Sequence, residues 1–183
     1  SRLSYPPDAA GGRKIICQTC HRVHGARGEK IVVVNNRNSK LCTTCHREHK
    51  GLLNTKHDLR LTMPTAVNIK QQAPADSGPC GACHMPHGSA NEILWARQYT
   101  PGGPTSQLCL GCHDEDNPAQ VKWIGRYSHP VDVTPSAGLS LHEKLPLFSE
   151  NAVPDASGKV ACFTCHSVHR WDPDIVINTG TKE

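Results

Sequence analysis

Apolar residues are scattered along this chain in short groups, without the long periodic runs that mark extended helices or strands. Residues 31–34, Ile-Val-Val-Val, are an example of the longest groups. None of these groups approaches the 18 residues of a membrane span. Residues 71–79 and 130–138 are rich in proline and glycine and predict loops. The pattern therefore predicts mostly irregular coil with short helices, and a small strand or hairpin at residues 30–34.

The composition offers few apolar side chains from which to build a core. Only 37% of the 183 residues are hydrophobic and 4% are aromatic, with 14 Pro and 15 Gly. So little apolar surface does not readily offset the conformational entropy that a chain of this length loses on folding. A group other than the side chains is therefore expected at the centre of the molecule.

The cysteines identify that group. Ten cysteines in such a chain indicate either an oxidising compartment or metal and cofactor chemistry, and their spacing decides between these. All ten fall into C-x-x-C-H motifs, with none left over. The five motifs are Cys17, Cys20 and His21; Cys42, Cys45 and His46; Cys80, Cys83 and His84; Cys109, Cys112 and His113; and Cys162, Cys165 and His166.

In a C-x-x-C-H motif the two thiols form thioethers with haem, and the adjacent histidine is the proximal iron ligand. A zinc ribbon also uses C-x-x-C pairs but does not need the following histidine, and a disulfide scaffold needs no histidine at all. Five covalently attached haems c leave about 37 residues for each. We therefore predict a fold of irregular coil and short helices wrapped around a chain of five haems, with minimal β structure and the helices at the motifs.

The motifs repeat along one predicted pentahaem domain, residues 1–183. Residues 17–57 and residues 80–129 each hold two C-x-x-C-H motifs, a histidine three residues after the first motif, and a later histidine. Residues 162–169 begin a third copy that contains one motif. The internal units are thus predicted to bind two, two and one haem.

Seven of the twelve histidines remain after the proximal five, and five of them occupy matching places in the repeat units. These predicted distal ligands are His24, His57, His87, His129 and His169. A histidine three residues after a proximal one cannot reach the opposite face of the same haem, so it is expected to serve a neighbouring haem. His49 and His142 are expected to bind propionates or backbone groups, and Met63 and Met85 to pack in loops.

Charge and compartment follow from the cofactor. The net charge of +4 is opposed by about ten propionate charges on five haems, so many Lys and Arg side chains are expected to pair with propionates and not with nucleic acid. Covalent haem attachment takes place beyond the cytoplasmic membrane, so the protein is expected to be exported. The chain starts at Ser1 without Met, as a processed mature protein would.

Residues 80–89, 108–114 and 128–131 resemble the doubled C-x-x-C-H module of multihaem cytochromes c, and residues 158–169 resemble the start of another. Some members of this group polymerise into extracellular filaments with a continuous haem chain. The resemblance implies long-range electron conduction by a head-to-tail homopolymer at the cell surface or outside the cell, exchanging electrons with redox partner proteins or extracellular acceptors.

Two other functions remain open. A soluble periplasmic shuttle would carry electrons to a reductase, and an enzyme would transform a small nitrogen or sulfur compound. Two axial imidazoles leave no open iron position for a substrate, which favours electron transfer without catalysis and implies low reduction potentials. Trp95, Trp123 and Trp171 are expected to pack against porphyrin edges.

Overall fold

A computed structural model of the chain describes residues 14–26, 29–89, 91–100, 103–114, 116, 128–139, 142 and 144–169. The chain divides into two compact units, Ser1–Arg47 and Glu48–Glu183. The smaller unit holds the first two C-x-x-C-H motifs, and the larger holds the other three. The proposal of a single pentahaem domain with three internal units stays a prediction.

Short helices joined by coil make up both units. They are α1 (Cys17–Cys20), α2 (Cys42–Cys45), α3 (Leu59–Thr62), α4 (Pro74–Gly81), α5 (Gln107–His113) and α6 (Cys162–Cys165). Short 3-10 helices lie at Glu29–Ile31, Arg37–Ser39 and Arg47–Leu52. Every C-x-x-C-H motif includes or adjoins an α-helical turn, so the predicted fold of coil with short helices at the motifs is confirmed.

The strand or hairpin predicted at residues 30–34 is wrong. In the part of the chain that the structure describes, extended pairing is limited to isolated antiparallel bridges, one of which joins His21 to Val32. Lys30 and Ile31 have φ angles of 58° and 57°, in the left-handed region. That conformation turns the backbone before a second pair can form, so the β-branched residues make one bridge and no strand.

The loop predicted at residues 71–79 is also wrong in part, because α4 begins at Pro74. Proline lacks the N–H that a first helical turn leaves unbonded, and its fixed φ suits that position. Gly78, with φ 79° and ψ 172°, then kinks the helix so that a second short turn carries Cys80. Residues 130–138 contain one bridge, at Val133, and no helix, as predicted.

The apolar core is small. The buried hydrophobic residues that the structure describes include four alanines, and they are Val33, Leu52, Leu59, Ala82, Met85, Ala96, Leu147, Ala152 and Ala161. Burial of Met85 agrees with its expected role in packing. No α-helix in the described ranges has the length and apolar character required to cross a membrane.

Candidate haem-attachment site

Each C-x-x-C-H motif folds as a single helical turn. The backbone N–H of the histidine donates to the carbonyl oxygen of the first cysteine, at 2.8 Å for His21, 3.0 Å for His46, 2.8 Å for His84 and 3.0 Å for His166. The fourth motif lies inside α5. Positions i, i+3 and i+4 share one side of a helical turn, so the two cysteines and the histidine of a motif start from the same side of the backbone. All ten cysteines are free thiols and none forms a disulfide.

The first and third motifs share one local framework, displaced by 63 residues along the chain. The residue after the histidine bonds to the loop that follows, and the loop then returns to the second cysteine. The bonds run from Arg22 N to Ile31 O at 2.7 Å and from Val33 N to Cys20 O at 2.9 Å in the first copy, and from Met85 N to Leu94 O at 2.6 Å and from Ala96 N to Cys83 O at 2.8 Å in the third. The sequence repeat is therefore also a structural repeat.

The same framework sets the tautomer of two of the motif histidines. Nδ1 of His21 lies 3.2 Å from the Lys30 carbonyl oxygen, and Nδ1 of His84 lies 2.8 Å from that of Ile93. A carbonyl oxygen only accepts, so each Nδ1 carries the hydrogen and donates it. Nε2 then bears the lone pair, as an iron ligand requires. His129 is fixed in the same way by the Pro130 carbonyl oxygen, at 2.7 Å.

The surroundings of His84 match the chemistry of a haem. The indole of Trp95 packs edge-on against the His84 ring at a centroid distance of 5.8 Å. Trp95 Nε1 and Asn91 Nδ2 are both buried donors without an acceptor in the protein. A buried donor is costly when it is not paired, and a haem propionate supplies acceptor oxygens only. The residues present at this motif therefore fit a haem.

Buried threonine hydroxyl groups form hydrogen bonds that stabilise two of the motif turns. Thr164 Oγ1 accepts from Ala161 N at 3.0 Å and donates to the Pro146 carbonyl oxygen at 2.9 Å. In the first motif, Thr19 Oγ1 accepts from Ile16 N at 3.1 Å. Thr164 and Thr19 are both buried, so these bonds are shielded from water and fix where each helical turn begins.

The fourth and fifth motifs lie side by side. The thiols of Cys109 and Cys162 are hydrogen-bonded to each other, and this bond, with burial, raises the pKa of Cys109. Burial also raises the pKa of Cys83, in the third motif, to about 11. Such thiols remain protonated at neutral pH before they are attached to haem. Two haems attached at Cys109 and Cys162 would lie within short range of each other.

Asp132 joins the segments that carry these two motifs. Its carboxylate accepts from Thr105 Oγ1 at 2.6 Å and from Ser106 N at 3.2 Å, at the start of α5. Its own N–H donates to the Val160 carbonyl oxygen at 2.7 Å, just before α6. Burial alone would raise the pKa of Asp132, but the bonds from Ser106 and Thr105 outweigh it and hold the pKa below its usual value.

We expect Asp132→Asn to destabilise the haem-loaded protein by about 1 kcal/mol at pH 7, because asparagine keeps the shape but loses the charged acceptor. A folded-state pKa below the unfolded value contributes stability that is present above pH ~4 and is lost as pH falls through the folded-state pKa. The difference in melting temperature between variant and wild type should therefore shrink below pH ~4. Thermal melts from pH 7 to pH 3 measure it.

The control for this experiment is Asp116→Asn, at an exposed carboxylate. It should leave the melting temperature unchanged at every pH. A stability loss in Asp132→Asn that is the same at pH 3 as at pH 7 would mean that shape, and not charge, accounts for the role of Asp132.

The larger unit brings several predicted ligands together. His57 lies near the histidine of the fourth motif, with its ring centroid 6.1 Å from that of His113 and the planes tilted by 47°. His169 lies near the histidine of the third motif, with its centroid 5.9 Å from that of His84 and the planes tilted by 31°. Burial, followed by the nearby imidazoles of His113 and His166, lowers the pKa of His57. A neutral imidazole of this kind is the form that binds metals.

Other predicted ligands have different surroundings. His24, His87 and His129 are exposed side chains in the described structure. Nδ1 of His142 accepts from Lys144 N at 3.2 Å, a backbone hydrogen bond of the kind expected for it. Trp123 and Trp171 lie outside the described residues, so their expected packing stays a prediction.

Sequence reasoning undervalued His49. Its ring stacks on that of His169 at a centroid distance of 4.4 Å and an interplanar angle of 13°. The signal was present in the sequence, because His49 follows His46 by three residues, as His24, His87 and His169 follow their own proximal histidines. His49 therefore has counterparts in the repeat, and its ring contacts that of a predicted distal ligand.

Comparisons with known proteins agree with the repeat. Residues 7–51 and 73–118 each match the family model for the doubled CXXCH motif, and each match contains two of the five motifs. The multiheme cytochrome MtrA of Shewanella baltica (strain OS185) is 28% identical over 101 residues. That alignment covers 51% of this chain and 28% of the relative, so the chain corresponds to a minor part of that protein. No solved structure matches the chain.

Proposed function

We propose that this member of the multihaem c-type cytochromes with doubled CXXCH motifs transfers electrons through five covalently attached haems. The observation that carries the proposal is the helical turn at each of the five motifs, which puts two cysteines and a histidine at positions that share one side of a turn. Haem supplies one-electron redox chemistry when it is bound at such a motif.

The chain's own residues attach and orient the cofactor. The two thiols of each motif would hold the haem through thioether bonds to its vinyl groups. The histidine of the motif provides Nε2, and in the first and third motifs a backbone carbonyl at Nδ1 holds the ring in place. The ten motif cysteines and the proximal histidines His21, His46, His84, His113 and His166 are the proposed attachment set.

We propose His24, His57, His87, His129 and His169 as distal ligands. An iron bound by two imidazoles has no vacant position for a substrate, so the sites would exchange electrons without catalysing a reaction. Electron transfer by outer-sphere contact needs no substrate pocket. The partners would be other redox proteins or extracellular acceptors, reached after export of the chain.

We expect no carbon monoxide binding to the native ferrous protein, because each iron would already have six ligands. The measurement is a carbon monoxide titration followed in the Soret band, with haem content per chain determined by intact mass. Five haems and no rapid carbon monoxide uptake would support the proposal. Uptake of one equivalent or more without denaturation would indicate an open iron and favour an enzyme.

Polymerisation is a second candidate, favoured by the half-repeat at residues 162–169, which holds a C-H-x-x-H pattern and one motif. A head-to-tail contact that repeats without closing would generate a filament. His169 would serve either an earlier haem of its own chain or a haem in a second copy, and its ring lies near that of His84 of its own chain. The soluble shuttle needs no second copy. Negative-stain microscopy of the native protein at high concentration distinguishes a filament from a monomeric carrier.

A further inference from the structure

We infer that His169 and His57 are the distal iron ligands, within their own chain, of the haems attached at the third and fourth motifs. His169 would pair with His84, and His57 with His113. The inference rests on the proposed function and adds which histidine serves which haem. Neither pairing follows from the sequence, since 85 residues separate His84 from His169 and 56 separate His57 from His113.

The separations of the rings carry the first step. Two imidazoles on opposite sides of one metal ion have ring centroids about 6 Å apart, because a metal–nitrogen bond is about 2 Å long and the ring centre lies about 1 Å beyond the nitrogen. The centroids of His84 and His169 are 5.9 Å apart, and those of His57 and His113 are 6.1 Å apart. Both pairs therefore leave room for one iron.

The second step compares these two pairs with another pair of histidine rings, which are closer together. The rings of His49 and His169 are 4.4 Å apart and nearly parallel, at 13°. At that distance the rings touch face to face and no metal fits between them. His169 thus has one imidazole neighbour at contact distance and another at the distance of a shared ligand. We assign His49 as a positioning residue that holds the His169 ring.

The tautomer and the chain positions carry the third step. His84 donates from Nδ1 to the Ile93 carbonyl oxygen, which leaves Nε2 as its lone-pair nitrogen. His169 follows the fifth motif by three residues, so it cannot reach the far face of its own haem. An assignment to the third motif gives it a haem in the same chain. The segment that follows the fifth motif would then supply a ligand to the third haem. The segment before α3 would supply a ligand to the fourth haem.

Carbon monoxide stoichiometry tests the pairing, because an iron that loses one imidazole gains an open position. In the haem-loaded protein, His169→Ala and His57→Ala should each bind one equivalent per chain, and the double variant should bind two. His142→Ala, which alters an exposed histidine outside both pairs, should bind none. In the ferric protein without carbon monoxide, added imidazole should restore the low-spin spectrum of each single variant.

A variant in which both histidines of a pair are replaced tests whether they share one iron. His84→Ala with His169→Ala should still affect one haem and bind no more than one equivalent, whereas ligands of different irons would give two. If His84→Ala prevents attachment, intact mass will show four haems, and adding His169→Ala should then create no new carbon monoxide site.

Absence of carbon monoxide binding in His169→Ala or His57→Ala, or two equivalents in the combined variant, would overturn the pairing. Five reversibly reduced haems in that same protein would leave the electron-transfer function standing, so the two failures can be told apart. His49→Ala separates positioning from ligation: it should broaden the low-spin electron paramagnetic resonance signal without opening an iron, and one equivalent of carbon monoxide bound would make His49 a ligand instead.

Discussion

The chain produced without haem attachment is expected to remain unfolded. In the described part of the structure, the buried hydrophobic residues larger than alanine are Val33, Leu52, Leu59, Met85 and Leu147. Large hydrophobic side chains that stay exposed are more than twice as numerous, and they include Val23 and Leu61, which are 76% and 62% exposed. Side-chain burial alone therefore supplies too little stabilisation to order the backbone.

Far-ultraviolet circular dichroism of the apoprotein measures this directly, with the haem-loaded protein as the reference. The apoprotein should have a spectrum close to random coil and no heat-induced transition. A variant with Cys162→Ser and Cys165→Ser should attach four haems and give an intermediate melting temperature, because only the last motif loses its haem. A cooperative thermal transition in the apoprotein would contradict the claim.

Gly158→Ala is expected to destabilise the haem-loaded protein by about 3 kcal/mol. A methyl group at this position would meet the backbone of Phe148, with the amide nitrogen at 2.7 Å. That backbone cannot retreat, because Phe148 and Lys159 exchange two hydrogen bonds of 2.9 and 3.0 Å. The Phe148 ring in turn packs edge-on against Phe163 of the fifth motif at 4.2 Å. The strain would therefore reach the haem-attachment turn.

Thermal melting followed in the Soret band would show this as a decrease of about 10 °C in the melting temperature. The matched control is Ala156→Ser, which adds one atom to an exposed position in the same loop and should leave the melting temperature unchanged. A Gly158→Ala protein that melts within about 2 °C of wild type would show that Phe148 can move without cost.

The sequence was sufficient to predict the motifs, their helical turns and the repeat, because each depends on residues close together in the chain. Cys80, Cys83 and His84 stand at positions i, i+3 and i+4, which a helical turn brings to one side. The hairpin at residues 30–34 was a wrong prediction for a related reason. β-Branched residues favour strands, but the turn at Lys30 and Ile31 follows from bonds that fold the loop back onto Cys20.

Contacts between distant segments could not be predicted. The carboxylate of Asp132 accepts hydrogen bonds from Thr105 and Ser106, which lie 27 and 26 residues earlier in the chain. No local sequence pattern predicts such a bond. The same holds for His169, whose place beside His84 depends on how the chain returns. Spacing predicts that His169 serves another haem, whereas the tertiary structure places its ring near that of His84.

In the framework shared by the first and third motifs, the backbone positions the haem-attachment residues, and the loop side chains determine the surroundings of the iron. Its hydrogen bonds join backbone groups to one another and to the motif histidine, so they do not depend on which side chains the loop carries. Trp95 stands where the first copy has Val32, yet both residues bridge to their histidine. Selection can therefore adjust polarity and bulk around one iron without disturbing attachment there or at the duplicate. Such a scaffold permits the two copies to diverge in reduction potential after duplication, one substitution at a time.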